Sequence, residues 1–358
     1  MAYKFTRLAN DYIDLKNDLT DKEIDEIVSI GAMDRIQANA VPSKDDLIAL
    51  NKRYFSKYPK TGFRLYSLPS ERQDMTNLQY LTNAEKISVD FVSDADNLEV
   101  LSLLPNLKKL WLHIYLLRDF GFLNGVTSSL SQLSLETKST ALDLSALLRF
   151  SQLKVLRLVR YKKNIDSLAG LSLLEGLTLR GITPESLDFV NELKNLRRLK
   201  IELGAKADLS DLYGNTSITA LRLFRISNLG NADLIARLPN LEAVELSWLP
   251  HIGCFPDLSE HKKLRHIALD DMKTLTDLSA LEHASSLESF SFSVCPRVFE
   301  PGSLLPVLRN PSVKQCSAYT SSAKRNKEMG DLIVRNGKRN ENNSMIVRRL
   351  LSNNLTEF

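Results

Sequence analysis

One apolar pattern, Leu-x-x-Leu-x-Leu or a close variant, recurs eleven times between Ala84 and Ala318. Its first position falls at Ala84, Leu107, Leu130, Leu153, Leu174, Leu196, Ile218, Leu241, Leu264, Leu287 and Val313. The successive steps are 23, 23, 23, 21, 22, 22, 23, 23, 23 and 26 residues. A unit this short cannot close a core of its own. Stacked on its neighbours it can, so the spacing predicts a solenoid. At 358 residues and 43% hydrophobic content, length alone would suggest about two domains. The repeat overrides that estimate, because a stack grows without the size limit of a single core.

The copy Leu153-Lys154-Val155-Leu156-Arg157-Leu158 shows the physics. Leu156 and Leu158 alternate with Arg157, so a strand here points the leucines one way and the arginine the other. The next copy, about 4.8 Å away, buries both leucines and adds a ladder of main-chain hydrogen bonds. One continuous parallel sheet is therefore expected, with strands containing Leu110-Trp111-Leu112, Leu156-Arg157-Leu158, Leu221-Arg222-Leu223 and Ile267-Ala268-Leu269. The chain must then return along the outside. Asp143-Leu144-Ser145, Asp208-Leu209-Ser210, Asp257-Leu258-Ser259 and Asp277-Leu278-Ser279 recur in that stretch. An Asp or Ser oxygen there can accept an unpaired N–H at the start of a helical turn.

This pattern resembles the bacterial leucine-rich repeat proteins, especially the internalin-like type with about 22 residues per turn. The resemblance spans residues 78 to 320 and implies an α/β leucine-rich repeat solenoid: a curved parallel sheet with short helices or turns on its convex side. One feature departs from the family. Its usual Asn or Cys, eight residues after the first leucine, is replaced by Tyr115, Lys138, Tyr161, Ile182, Gly204, Ile226, Leu249, Met272 and, as the single Cys, Cys295. Packing or other hydrogen bonds must hold the bends, and the family's host-cell adhesion is not carried over.

Residues 1 to 77 lack the repeat and read as a helical N-terminal cap over the first sheet edge. Thr20 and Glu23 form a capping box, and a second helix should start at Ser43 and stop before Pro59. Leu50 through Tyr66 also looks like the cap of a group of cytosolic bacterial proteins with this solenoid. Residues 321 to 358 read as a basic, polar tail, solvated or disordered, with Met345 to Leu351 able to form a short helix. From Lys324 it carries eight basic side chains against four acidic ones, which accounts for the chain's net charge of +4. Met1 to Lys16 lacks the unbroken apolar run of a signal peptide, and no segment is long and apolar enough for a membrane span, so a cytoplasmic location is expected. Cys254, Cys295 and Cys316 are scattered, without metal spacing, and read as reduced buried thiols.

Motifs that would announce an enzyme are missing: there is no Gly-rich phosphate loop, no His-Glu-x-x-His and no paired Cys-x-x-Cys. No cofactor or metal is expected. The concave face is more informative. Strand alternation places Lys109, Trp111, His113 and Gln132 there in the early copies. The middle copies add Arg157, Val159, Arg160, Arg180, Arg198, Lys200, Glu202, Arg222, Phe224 and Arg225. Later copies add Glu245, Trp248, His266, Asp270 and Asp271, then Ser289, Ser291 and Ser293. His266 and Asp270 lie about 13 Å apart along one strand, too far for a direct hydrogen bond. This is a cationic centre beside an acidic band, with aromatic anchors of the kind that dominate binding energy. Like charges on adjacent strands repel, which favours an anionic ligand.

Trp111, Arg157, Arg160, Arg180, Arg198, Lys200, Arg222, Phe224, Arg225, Glu245, Trp248, His266 and Asp270 are accordingly the expected partner contacts. The expected function is a non-enzymatic scaffold gripping a protein with an acidic surface. A bacterial toxin-neutralising (immunity) protein fits this by analogy alone. The alternative is nucleic-acid binding through the basic centre and tail, which the acidic band and sparse aromatics disfavour.

Overall fold

In the computed structural model, residues 5–8, 12–16, 18–66, 72–140 and 142–352 are described. The chain forms two compact units, one up to Leu173 and one from Leu174 to Leu355. Each is an α/β leucine-rich repeat solenoid in which apolar alternation sets strand direction and register.

In the first unit the strands run Phe5–Leu8, Tyr12–Leu15, Arg35–Ala38, Gly62–Tyr66, Lys86–Val92, Lys109–Ile114, Gln132–Glu136 and Val155–Val159. All pair in parallel except the first two, which pair antiparallel. Leu110 lies opposite Leu133, and Leu133 opposite Leu156, so the repeat leucines form rows across the sheet. Leu158 is fully buried, as the alternation requires. In the second unit the strands are Gly176–Arg180, Arg198–Glu202, Ala220–Phe224, Ala243–Ser247, His266–Asp270, Ser289–Ser293, Gln315–Ala318 and Arg339–Asn340, all parallel. Here Leu199, Leu221, Val244, Ile267 and Phe290 make the inward row.

Short 3₁₀ segments and helical turns carry the chain back on the other side. The Asp-Leu-Ser motifs form the bends that lead into this side, and Asp143 caps the segment Leu144–Arg149. Asp143, Asp208, Asp257 and Asp277 each accept the main-chain N–H of the serine two residues on, at 2.8–3.0 Å. These bonds favour the ionised carboxylate, and Asp143 is held down at about 2 by them and by Ser145 and Asn164.

Among the described residues there are six α-helices: α1 Asp21–Ile30, α2 Lys44–Leu50, α3 Leu234–Arg237, α4 Leu305–Arg309, α5 Ala323–Arg335 and α6 Ser344–Leu351. Thr20 caps α1 in the reciprocal arrangement with Glu23, and Ser43 caps α2. Buried Asp46 in α2 accepts the N–H groups of Asp18 and Leu19 and so ties the two helices' entry turns together.

Two expectations are corrected. The first 77 residues are not free of repeats, because Tyr12–Leu15, Arg35–Ala38 and Gly62–Tyr66 continue the parallel run. Ile13, Ile36, Phe63 and Ile87 are in register across it. The leading apolar position is lost at Asn10 and Lys60, whereas Met33-x-x-Ile36-x-Ala38 keeps all three positions, with Met33 buried. The losses at Asn10 and Lys60, with uneven steps of 23, 27 and 24 residues from Asn10 to Ala84, hide these strands from the period. The tail is not a solvated appendage. Met329 and Ile333 of α5 are buried, Arg339–Asn340 extends the sheet, and α6 returns over the strands.

Candidate functional site

The outward side chains of each strand sit at the second, fourth and sixth residues after the leading apolar position. In the second unit these positions do not form a free cationic centre. Arg180 Nη1 lies 2.7 Å from Glu202 Oε2, and Arg222 Nη1 lies 3.3 Å from Glu202 Oε1. Arg222 Nε is in turn 3.5 Å from Glu245 Oε1, and Arg198 Nη2 is 3.4 Å from Glu175 Oε2. Arginines and glutamates therefore alternate across adjacent strands. The expected repulsion between parallel arginines is absent because the chain supplies the counter-charges itself. Glu136, which the sequence reading passed over, does the same in the first unit. There Arg157 Nη2 meets Glu136 Oε2 at 2.9 Å and its guanidinium covers the Trp111 ring at 5.1 Å. Lys200 is half-buried, and Phe224 lies under the Arg222 guanidinium at 5.4 Å.

The expected acidic band is largely covered. Helix α6 lies across strands Arg198–Glu202, Ala220–Phe224, Ala243–Ser247 and His266–Asp270. Val347 and Leu351 pack on a bed of Ala220, Ala243 and Ala268. Small side chains at these outward positions let the helix approach closely. At the head of α6, buried Asn343 donates to Ile267 O (3.1 Å) and Ser289 Oγ (2.7 Å) and accepts from Ser291 Oγ (2.5 Å). Ser289 Oγ also meets His266 Nδ1 at 2.9 Å. Burial lowers the His266 pKa, so this network favours the neutral ring. Ser289 and Ser291 are therefore buried rather than solvent-facing, and Glu245 is only 8% exposed. Asp270 stays half-exposed, with its pKa raised by desolvation and by neighbouring Asp271. Asn343, Val347 and Leu351 escaped the sequence reading. The available signal was alanine at successive outward positions where other copies carry Lys or Arg.

A second feature lies at the strand ends. Gly181, Leu203, Arg225, Trp248, Asp271 and Val294 stand seven residues after the leading position, and all have positive φ. Such a residue turns its own side chain outward and sends the next one into the core. Ile182, Ile226, Leu249, Met272 and Cys295 are buried there. The main-chain N–H groups of Leu203, Arg225, Trp248 and Asp271 bond to the last strand carbonyl of the following repeat at 2.8–3.0 Å. This backbone ladder and apolar packing replace the missing asparagine ladder. The same bend occurs in the first unit at Phe91 and Arg160. Left-handed backbone costs an L-residue about 1–2 kcal/mol, most of all a β-branched one. Val294→Gly should therefore leave stability unchanged or raise it by up to about 1 kcal/mol after glycine's extra unfolded-state entropy. Thermal denaturation checks this, and a loss of stability would show that the bend is unstrained.

Arg225 and Trp248 thus sit together at this rim, whereas Glu245 and His266 sit beside or beneath α6. The Arg225 guanidinium lies 5.0 Å and Lys273 Nζ 6.0 Å from the Trp248 ring centroid. They border a recess of about 440 Å³ that also includes Leu203, Ser227, Pro250 and Asp271. Cys295 and Cys316 are buried, with thiols pushed up to about 12 by desolvation, while Cys254 is exposed, contrary to expectation. Among the described residues no group of three His, Cys, Asp or Glu side chains could hold a metal ion, and no helix is long and apolar enough to cross a membrane.

No protein-family model and no curated protein matches the sequence. Solved structures do match the fold. An internalin from Listeria monocytogenes aligns with a TM-score of 0.56 at 16% identity, covering 87% of this chain and 87% of that one. The structure of the Toll–Spatzle complex of Drosophila aligns with a TM-score of 0.53 at 16% identity, covering 92% of this chain and 52% of that one. At such identity the likeness is one of fold.

Proposed function

We propose that the chain is a non-enzymatic scaffold that binds a protein with an acidic surface on the strand side of its second unit. The observation that supports this most directly is α6. The sheet face already accepts a polypeptide helix, through small side chains and a buried asparagine rather than through a fixed catalytic or cofactor site. The same face carries half-buried Lys200 and Phe224 and the paired Arg180, Arg198 and Arg222, all but Arg180 on strands that α6 crosses. The uncovered cations lie at the rim. The matching Toll structure is itself of a protein complex. A rigid sheet limits the ordering cost of binding. Toxin neutralisation is a narrower form of this reading, and a toxin-like reading frame beside the gene would support it. Nucleic acid fits poorly, since carboxylates interleave with the arginines of the face.

The test is affinity capture from nuclease-treated lysate, with the unsubstituted chain and Lys200→Glu/Phe224→Ser as baits of matched thermal stability. A captured protein whose retention falls about tenfold or more in the variant is the expected result. Equal retention by both baits would remove the strand side as the site. Retention of nucleic acid alone, with a steep salt dependence, would replace the proposal with the nucleic-acid reading.

A further inference from the structure

We infer that the recess at the strand-end rim of the second unit is a binding site for a peptide segment of a partner that carries a carboxylate beside a large apolar side chain. The inference rests on the protein-binding reading, but it assigns the contact to the rim rather than to the strand face.

Leu203, Arg225, Trp248 and Asp271 occupy left-handed positions in four consecutive repeats, where Gly181, one repeat earlier, adopts the same conformation without a side-chain penalty. Side chains are displayed at this rim although glycine would form the bend more easily. The bend is general to the repeat, recurring at Phe91, Arg160 and Val294, and at these four positions it fixes the side chains that line the recess. Leu203 is 37% and Trp248 43% exposed, a large apolar surface for two side chains at the edge of a sheet. Arg225 and Lys273 reach the indole ring from its surroundings, and among the described residues neither makes an ion pair. The arginines of the face contrast with this, because each of Arg180, Arg198 and Arg222 is matched by a glutamate.

A recess of about 440 Å³ is large enough for one or two side chains. A carboxylate between the guanidinium and the ammonium would gain two charge-assisted hydrogen bonds. An adjacent leucine or aromatic side chain would cover Leu203 and the exposed indole face. Asp271 can accept a peptide N–H, and its charge disfavours a densely phosphorylated ligand. The chemistry is that of an acidic, apolar peptide rather than a nucleic acid.

Trp248 supplies the readout, because the chain has only one other tryptophan, Trp111. In a Trp111→Phe background, the emission of Trp248 is followed while an acetylated, amidated peptide alternating glutamate and leucine is added. Calorimetry on the unsubstituted chain repeats the titration, so that a poorly folded background cannot decide the result. The expected outcome is a saturable response, at least about tenfold weaker for the glutamine–leucine peptide and weaker at high salt. Arg225→Gln/Lys273→Gln should lower the affinity about tenfold or more with unchanged thermal stability. No saturable binding, equal affinity for the two peptides, or indifference to the double substitution would overturn the site. A protein captured equally well by the Arg225→Gln/Lys273→Gln chain, yet lost with Lys200→Glu/Phe224→Ser, would overturn the rim while leaving the scaffold reading intact.

Discussion

Arg222→Ala should destabilise the second unit by about 3 kcal/mol, near the lower end of the range for removing one partner of a buried charge pair. The reason is its position between two carboxylates that the fold keeps from water. Glu202 is 6% and Glu245 8% exposed, and Arg222 reaches both. Its own side chain is 28% exposed, so solvent offsets part of the loss and the upper end of the range is not expected. Glu202 would keep Arg180, whereas no other ion pair to Glu245 is present among the described residues. Glu245 should therefore bear most of the penalty. Arg222→Glu would be worse, placing three carboxylates on adjacent strands. Urea denaturation monitored by circular dichroism measures the effect. Combining Arg222→Met with Glu245→Gln should recover much of the stability by removing the orphaned charge. An Arg222→Ala chain as stable as the original would mean that the alternation of charges contributes only local geometry.

That expectation inverts a natural inference from the repeat. Alternation along one strand correctly turns Arg157, Arg180, Arg198 and Arg222 away from the core. It says nothing about which side chain stands beside each across the sheet. The relevant carboxylates, Glu136, Glu175, Glu202 and Glu245, lie in neighbouring copies and at differing positions within them, so their pairing depends on strand register and rotamer. The fold was legible for the opposite reason. Leu156, Leu199, Leu221 and Ile267 repeat at one position, and a single interval fixes their stacking. The N-terminal strands were hidden because Asn10 and Lys60 replace the leading apolar residue and so isolate the intact copy from Met33 to Ala38. The site was less legible still. Asn343 becomes important only after the chain has crossed from Arg339–Asn340 to the strand face, 52 residues from its partner Ser291. No local periodicity encodes that return. The alanines at 220, 243 and 268 recorded it indirectly, as outward positions that a solvated face has no reason to keep small and apolar.

Removing residues 1 to 76 should cost the chain its folded, soluble state. In the intact protein Phe63 lies opposite Ile87 and Leu65 opposite Val89, and all four side chains are fully buried. Deletion uncovers Ile87 and Val89 on one flank, while Leu110 and Leu112 still cover the other, so the loss stays below the roughly 3 to 6 kcal/mol of fully exposing both side chains. It also strips strand Lys86–Val92 of its hydrogen-bonded neighbour and leaves an apolar sheet edge open to other copies. A net stability of about 5–15 kcal/mol, ordinary for a folded domain, leaves little to absorb both effects. The truncated chain should appear in the insoluble fraction, or elute as large aggregates with a broadened thermal transition. Shortening only to Tyr12 removes the outermost antiparallel strand and keeps Phe63 and Leu65 in place, so it should be tolerated far better. The comparison separates a covering role from a general sensitivity to truncation. If a chain starting at Asn77 were monomeric, soluble and cooperative on unfolding, the first 76 residues would have to be assigned a role other than covering the sheet edge.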